Sequence, residues 1–207
     1  MNVLVIGAAG KTGRLVVERA VAAGHRVTAF VRDRGRYTAP PGVHIATGDA
    51  TDAAAVSVAM AGQDAVIDVI AGKTPWRTTA LERTAAHAIV AAARQHGTRR
   101  LIAVSAIGVG DSTAHTPLLV RLLVLPTFLR GSTADKAAME REIEHAGVPF
   151  VLVRPAVLND QPAAGSARVL TGSEKGHQIS RADVAAFVVE QLTSDTYLNR
   201  AVTIATT

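Results

Sequence analysis

Apolar and amphipathic segments alternate along the whole chain. Short runs rich in valine, isoleucine and alanine, such as residues 3–7 and 99–105, are typical of strands that are buried on both faces. Between them, as in residues 12–23, apolar side chains recur at the spacing of one helix face. The predicted strands are residues 3–7, 25–31, 43–47, 64–70, 99–105, 149–155 and 201–206, and the predicted helices are residues 12–23, 52–60, 78–96, 133–145 and 179–192.

This alternation predicts the fold class. Strands that alternate with helices form a parallel sheet whose two faces are covered by the crossover helices. We therefore expect an α/β protein with a Rossmann-like, doubly wound parallel sheet and a small C-terminal region that lines a pocket. The 207 residues are enough for one full core, so we expect a single domain over residues 1–207.

The composition excludes several classes of protein. Cysteine is absent, which excludes disulfides, thiolate metal sites and cysteine nucleophiles. The seven histidines form no i, i+4 pair, so we predict no metal site. Aromatic residues make up only 3% of the chain, so the net charge of +5 is expected to serve one phosphorylated ligand rather than nucleic acid.

The amino-terminal segment bears on the compartment. MNVLVIGAAG lacks the basic residues of a secretory signal, and its apolar run ends at Gly7. No apolar stretch of the sequence reaches membrane-spanning length. We therefore expect a cytoplasmic protein without a membrane span.

Three glycines stand between the first predicted strand and the first predicted helix. They form a G-x-x-G-x-x-G loop where a dinucleotide fold turns from strand to helix, which favours a phosphate-binding loop over a mere tight turn. In such a loop the glycines allow the turn and a close approach of backbone to pyrophosphate, and the helix N-terminus attracts the anion. The residues predicted to bind the dinucleotide here are Gly7, Ala9, Gly10, Lys11, Thr12 and Gly13.

The second predicted strand is followed by an arginine, which bears on the choice of dinucleotide. NAD-binding proteins usually carry an acidic residue here for the ribose 2′-hydroxyl, whereas Arg32 suits the 2′-phosphate of NADP(H). We therefore predict NADP(H) in preference to NAD(H). After the third strand, Asp49 is predicted to lie beside the adenine together with Ala50, or to cap the next helix.

Motifs spread over nearly the whole chain resemble those of one family. They are GAAGKTG (7–13), FVRD (30–33), GDATD (48–52), GQDAVI (62–67), VSA (104–106), DKAAME (135–140), AGVPFVLVRP (146–155), NDQP (159–162) and ISRADVAAFVVEQLT (179–193). The chain resembles the atypical short-chain dehydrogenases/reductases with an NAD(P)H-binding, NmrA-like fold, and within them the flavin reductase/biliverdin reductase B group. That family includes reductases, epimerase relatives and non-catalytic redox sensors.

The resemblance implies a set of residues around the nicotinamide end of the cofactor. They are Ile70, Ala71 and Gly72 near the ribose, Ser105 and Ala106 facing the nicotinamide, and Pro155, Ala156 and Val157 closing around its ring. All follow the carboxyl ends of predicted strands, where open α/β sheets bind their ligands. The flavin reductase group has a histidine at the position of Val157, a difference that argues against biliverdin-type substrates.

One catalytic pair of the wider family is incomplete in this chain. Typical short-chain reductases use a Tyr-x-x-x-Lys pair, in which the lysine holds the ribose and the tyrosine protonates the substrate. Lys136 matches the lysine, but Ser132 stands at the tyrosine position. A serine hydroxyl is a far poorer acid near neutral pH, so chemistry that depends on a tyrosine acid is disfavoured. The predicted catalytic residues are Ser105, which contacts the substrate or the nicotinamide amide, and Lys136.

These observations favour hydride transfer to an acceptor that needs little help from a protein acid. We expect an NADPH-dependent oxidoreductase that reduces a flavin, a quinone or a similar planar hydrophobic acceptor. The alternative is a non-catalytic NADP(H)-binding redox sensor of the NmrA-like type, which the missing tyrosine favours. The expected partner is a small molecule and not nucleic acid, and the expected assembly is a monomer or a homodimer.

An apolar stretch at residues 115–131 interrupts the regular alternation. It precedes the helix of Lys136, where this fold makes its substrate pocket. Four interpretations are open: a lid or pocket wall, a dimer interface, a membrane-surface helix, and additional core. We favour the lid. The residues expected to line it are Leu118, Leu122, Leu125 and Phe128, with Trp76 as the opposite lip.

Overall fold

Ten strands and five α-helices alternate in the computed structural model, which describes residues 1–72, 74, 76–119, 122–123, 127–165 and 167–206. The strands are β1 (Asn2–Ile6), β2 (Arg26–Val31), β3 (His44–Thr47), β4 (Ala65–Asp68), β5 (Arg100–Val104), β6 (Phe150–Pro155), β7 (Val157–Asn159), β8 (Ala167–Val169), β9 (Gln178–Ser180) and β10 (Arg200–Thr206). The helices are α1 (Lys11–Ala22), α2 (Ala53–Met60), α3 (Leu81–His96), α4 (Arg130–Glu144) and α5 (Arg181–Glu190), with short 3-10 turns at Arg34–Arg36 and Gly110–His115.

Eight of the strands form one sheet in the order β3-β2-β1-β4-β5-β6-β10-β8. All neighbours are parallel except β8, which runs antiparallel to β10 at the edge. The strand order reverses at β1, which pairs with β2 on one side and β4 on the other, so a crevice opens at their carboxyl ends. The predicted Rossmann-like, doubly wound α/β fold is confirmed.

The two faces of the sheet are covered by different helices because successive strand residues point to opposite sides. Val3 and Val5 of β1 pack in the layer that contains α1 and α5. Leu4 and Ile6 of the same strand pack in the layer that contains α2, α3 and α4. Among the described residues, no helix has both the length and the apolar character needed to cross a bilayer.

The elements differ from the prediction mainly at their ends and in the C-terminal part. The third helix begins at Leu81 rather than at residue 78, because Ala80 takes a left-handed conformation with φ 55°. The predicted helix over residues 179–192 is divided, since residues 178–180 form β9 and α5 begins at Arg181. Ser180 caps α5 by accepting a hydrogen bond from the Asp183 amide. The three-residue strands β7, β8 and β9 were not predicted, because so few residues show no periodicity.

Candidate active site

The glycine loop between β1 and α1 has no room for side chains at two of its three glycines. Gly7 has φ +86°, and a Cβ atom there would lie 3.0 Å from the carbonyl group of Val69. A Cβ atom at Gly13 would lie 2.2 Å from the Gly7 carbonyl oxygen, so α1 packs directly on the loop. Gly10 is the N-cap and brings no side chain over the first amides of α1, and the first turn has no acidic residue. The loop therefore fits a pyrophosphate.

Lys11 is the exposed basic residue at the start of this helix. Its Nζ lies 2.7 Å from Asp160 Oδ2, and the other oxygen of Asp160 accepts from Arg181 Nη1 at 2.5 Å. These cations lower the pKa of the Asp160 carboxyl below its usual range, with the Lys11 hydrogen bond as the main cause. The predicted contact of Lys11 with phosphate therefore competes with an ion pair that links α1 to the segment after β7.

Arg32 and Asp49 lie at the adenosine side of the predicted site. Arg32 directly follows β2 and is exposed. Asp49 Oδ1 accepts from the amide and the hydroxyl of Thr51 at 2.9 Å and 2.7 Å, and these bonds, aided by the Arg32 charge, lower its pKa. The alternative that Asp49 caps the next helix is wrong, because Asp52 is the N-cap of α2 and accepts from the Ala54 amide at 2.9 Å.

The sheet brings the segments after β4, β5 and β6 to one edge, since these strands are neighbours in the sheet. Ser105 is buried there, and its Oγ has no hydrogen-bond partner among the described residues. Val157 at the start of β7 is exposed. The other predicted residues of this edge are Ile70, Ala71, Gly72, Ala106, Pro155 and Ala156, of which Pro155 and Ala156 are buried.

Lys136 lies directly behind this edge. Its side chain projects from α4, and its Nζ donates to the Val104 carbonyl oxygen at 3.3 Å. Since Ser105 follows Val104, the two predicted catalytic residues are adjacent in the structure. Lys136 Nζ also lies 3.9 Å from Glu82 Oε1, and both side chains are buried. Ser132, at the tyrosine position one turn earlier on α4, is half-buried.

Three buried carboxyl groups surround Lys136, and sequence analysis missed them. Asp68 ends β4, Glu82 lies in the first turn of α3, and Asp135 precedes Lys136 on α4; each is at most 2% exposed. Glu82 Oε1 accepts from the Gly72 amide at 3.0 Å, and Asp135 Oδ2 accepts from the Thr79 hydroxyl at 3.1 Å. We call Asp68, Glu82, Asp135 and Lys136 the buried carboxyl cluster.

Burial decides the charge state of two members of this cluster. Asp68 Oδ1 accepts from the Ile70 amide at 3.0 Å, while Oδ2 has no partner among the described residues. Its burial raises the pKa of Asp68 to about 6, against the lowering effect of the Ile70 bond and the Lys136 charge. Burial and then the hydrogen bond with Asp135 raise the pKa of Glu82.

Within the described part of the chain, no group of three His, Cys, Asp or Glu side chains is placed to hold a metal ion.

One member of the cluster carried a signal in the sequence. Asp68 stands in the run AVIDVI, inside a strand whose apolar character indicates burial on both faces. A charged residue in such a strand must be neutralised or paired, which marks it as a candidate for chemistry. Glu82 resembles an ordinary acidic residue of a helix first turn, and only the tertiary structure reveals its burial.

Three of the four residues predicted to line the lid are described, and they lie at the surface. Leu118, Leu122 and Phe128 are exposed, so additional core is the wrong interpretation for them; Leu125 lies outside the described residues. Trp76 and Phe128 are 52% and 55% exposed, and their ring centroids are 5.8 Å apart.

The backbone joins the two segments as well. A Cβ atom at Gly131 would lie 2.2 Å from the Arg77 carbonyl carbon, so α4 begins in direct contact with the loop after β4. The two predicted lips of the pocket are therefore in contact. We call Trp76, Phe128 and Val157 the apolar rim.

Comparison with known proteins identifies the family of this chain. A family described as NAD(P)H-binding matches residues 7–195, which include the glycine loop and strands β2 to β9. The chain belongs to this NAD(P)H-binding family. The predicted recognition of a nicotinamide dinucleotide is thereby confirmed, and so is the resemblance to atypical short-chain reductases.

Solved structures of bacterial proteins share the fold. ChuY, an anaerobillin reductase from Escherichia coli O157:H7, is 26% identical with a TM-score of 0.83, covering 100% of this chain and 97% of its own. A Rossmann-fold NAD(P)-binding family protein from Shigella flexneri is 25% identical with a TM-score of 0.74, covering 99% of this chain and 93% of its own.

A plant protein is similar in sequence. An uncharacterised chloroplastic protein of Arabidopsis thaliana is 28% identical in an alignment of 206 positions that covers 92% of this chain and 71% of the relative. The NAD(P)H-binding family to which the chain belongs is a family of oxidoreductases. Its cytoplasmic location and its oligomeric state stay predictions.

Proposed function

We propose that this protein is an NADPH-dependent reductase that passes a hydride to a planar hydrophobic acceptor such as a flavin or a quinone. The observation that carries the proposal is the apolar rim. Trp76 and Phe128 are exposed and in contact, and Val157 is exposed just after β6, so apolar surface lies near the carboxyl ends of the strands, where open α/β sheets bind their ligands. The similarity to an anaerobillin reductase supports reduction as the reaction class.

Each part of the site has a task in this reaction. A bound NADPH supplies the hydride. The free amides at the start of α1 bind its pyrophosphate, and Arg32 pairs with the ribose 2′-phosphate. Lys136 and Ser105, adjacent behind the edge, orient the nicotinamide half. The apolar rim holds the acceptor flat against that half and excludes water.

The second candidate is an NADP(H) sensor without turnover. It is favoured by one observation: Ser132, half-buried on α4, occupies the position where a reductase of the wider family has its acid. A sensor needs the dinucleotide loop and an exposed surface but no acid. The exposed rim would then bind a partner protein instead of a small acceptor.

The first experiment measures steady-state NADPH oxidation by the purified protein against a panel of flavins and quinones, with NADH for comparison. We expect saturable turnover that Ser105→Ala lowers. Binding of NADPH without turnover of any acceptor would overturn the reductase proposal for that panel, and the sensor would then lead.

The same assay tests the choice of dinucleotide. Arg32→Ala is expected to weaken NADPH binding at least about tenfold and to leave NADH binding unchanged, because one charge-assisted contact to the 2′-phosphate is lost. The matched control is Arg99→Ala, which removes an exposed arginine at the opposite, amino-terminal edge of the sheet, before β5. Two results would contradict the role of Arg32: an equal loss of NADPH and NADH affinity in Arg32→Ala, or the same loss of NADPH affinity in Arg99→Ala.

A further inference from the structure

A reduction of this kind needs a proton as well as a hydride, and the chain lacks the tyrosine that supplies it in related enzymes. Under the proposed function, some group of this protein has to hold a proton near the acceptor at neutral pH. The composition of the buried carboxyl cluster and its place in the fold meet this requirement.

The cluster has more acidic groups than basic ones. Three carboxyl groups come from β4, α3 and α4, and the facing charged group from these elements is the single ammonium of Lys136. All four side chains are at least nine-tenths buried. Full ionisation would leave an excess of negative charge on side chains that are at most 2% exposed, which is costly. The cluster therefore retains protons at pH values where exposed carboxyl groups have lost theirs.

The contacts indicate where the protons are held. Glu82 is buried, its Oε1 accepts from the Gly72 amide at 3.0 Å, and burial raises the pKa of its carboxyl group. Asp68 Oδ2 is buried and has no partner among the described residues, as expected for an oxygen that carries a proton or passes one on. Ser105 Oγ, two residues past the position that pairs with Asp68 in β5, is also buried without a described partner.

We infer that Asp68 and Glu82 of this cluster form a proton store that supplies the proton of the reduction, in place of the missing tyrosine. In this step the acceptor receives two electrons with the hydride. The O–H bond of a cluster carboxyl group breaks, and its proton forms a new bond to an oxygen or nitrogen of the acceptor. The carboxylate that remains next to Lys136 then regains a proton from water.

The first test needs neither cofactor nor turnover. Infrared spectra of the protein alone, from about pH 4 to about pH 8, record the carbonyl stretch of protonated carboxyl groups. We expect a band that persists to about pH 6 and loses intensity in Asp68→Asn, which preserves the shape of the side chain. The control is Glu144→Gln, which removes an exposed carboxyl group from the same helix as Asp135. A spectrum with no protonated carboxyl group above about pH 5 would overturn the proton store.

The second test separates proton supply from a structural role. Asp68→Asn and Glu82→Gln are expected to lower kcat at least about tenfold while the NADPH dissociation constant is unchanged. The wild-type rate should fall as the pH rises above about 6, and Asp68→Asn should lose that fall. Unchanged kcat in both variants, or an unaltered pH profile, would refute the inference. If no acceptor is turned over at all, the proposed function fails, while the infrared result still decides whether the store exists.

Discussion

Asp68 ends strand β4, and its carboxyl group is buried within the carboxyl cluster. Its pKa is raised from 3.8 to about 6, so the folded protein binds this proton more tightly than the unfolded chain does. The stability linked to Asp68 is therefore fully present below pH 3.8 and is lost as the pH rises through about 6. A pKa shift from 3.8 to about 6 corresponds to a loss of about 3 kcal/mol in the free energy of unfolding.

Asp68→Asn removes this dependence because an amide does not titrate. Relative to wild type, we expect the variant to gain about 3 kcal/mol in free energy of unfolding between pH 4 and pH 8. Urea unfolding at a series of pH values measures the difference. Glu144→Gln is the control, and its curve should run parallel to that of wild type. A parallel curve for Asp68→Asn would mean that Asp68 has an ordinary pKa in the folded state.

The strand-loop-helix unit from β1 to α1 depends on glycine for packing as much as for ligand binding. The predicted functions of Gly7 and Gly10 concern the turn and the approach of phosphate, whereas Gly13 has no space for a side chain. The close contact of α1 with the Gly7 carbonyl sets the direction of the helix amides that are proposed to bind pyrophosphate.

Gly13→Ala tests this coupling between packing and binding. The added Cβ atom would lie 2.2 Å from the Gly7 oxygen, so α1 must move, and we expect the dinucleotide affinity to fall at least about tenfold. Gly24→Ala is the matched control, because its Cβ atom meets open space and only the backbone strain at φ +81° remains. That control should lose about 1 kcal/mol of stability and keep its affinity. Calorimetric titration and thermal unfolding measure both quantities, and intact binding by Gly13→Ala would contradict the coupling.

Across the whole molecule, one buried arginine joins the sheet, a helix and the loop after β5. Arg154 of β6 donates to both oxygens of Glu140 on α4, from Nε at 2.9 Å and from Nη2 at 2.8 Å. It also pairs with Asp111 of the 3-10 turn at Gly110–His115. The helix that carries Lys136 is thus fixed to the sheet by a charge pair as well as by apolar packing.

Glu140→Gln removes the charge that balances the buried guanidinium. We expect the free energy of unfolding to fall by about 3 kcal/mol, since the buried guanidinium loses its buried partner and keeps only the exposed Asp111. Glu144→Gln lies one turn further along the same helix and is exposed, so it should change stability by less than about 0.5 kcal/mol. Urea denaturation compares the two variants, and equal effects would show that the pair contributes nothing specific.

The pair Glu140 and Glu144 also marks a limit of sequence analysis. Helical spacing puts both on one face of α4, and two glutamates at this spacing by themselves predict a solvated face. That interpretation is right for Glu144 and wrong for Glu140, which is buried against Arg154. The difference arises from a strand residue fourteen positions later, and no local pattern reports it.

The sequence by itself determined the alternation of strands and helices, the doubly wound fold, the glycine loop and the dinucleotide family, because these depend on local periodicity and on motifs within a few residues. Only the tertiary structure decided which polar groups are buried together. Asp68, Glu82 and Lys136 come from three elements that meet through the strand order β1-β4-β5, and their protonation depends on that shared burial. Burial depends on contacts distant in sequence, so the raised pKa of Asp68 arises only in the folded chain.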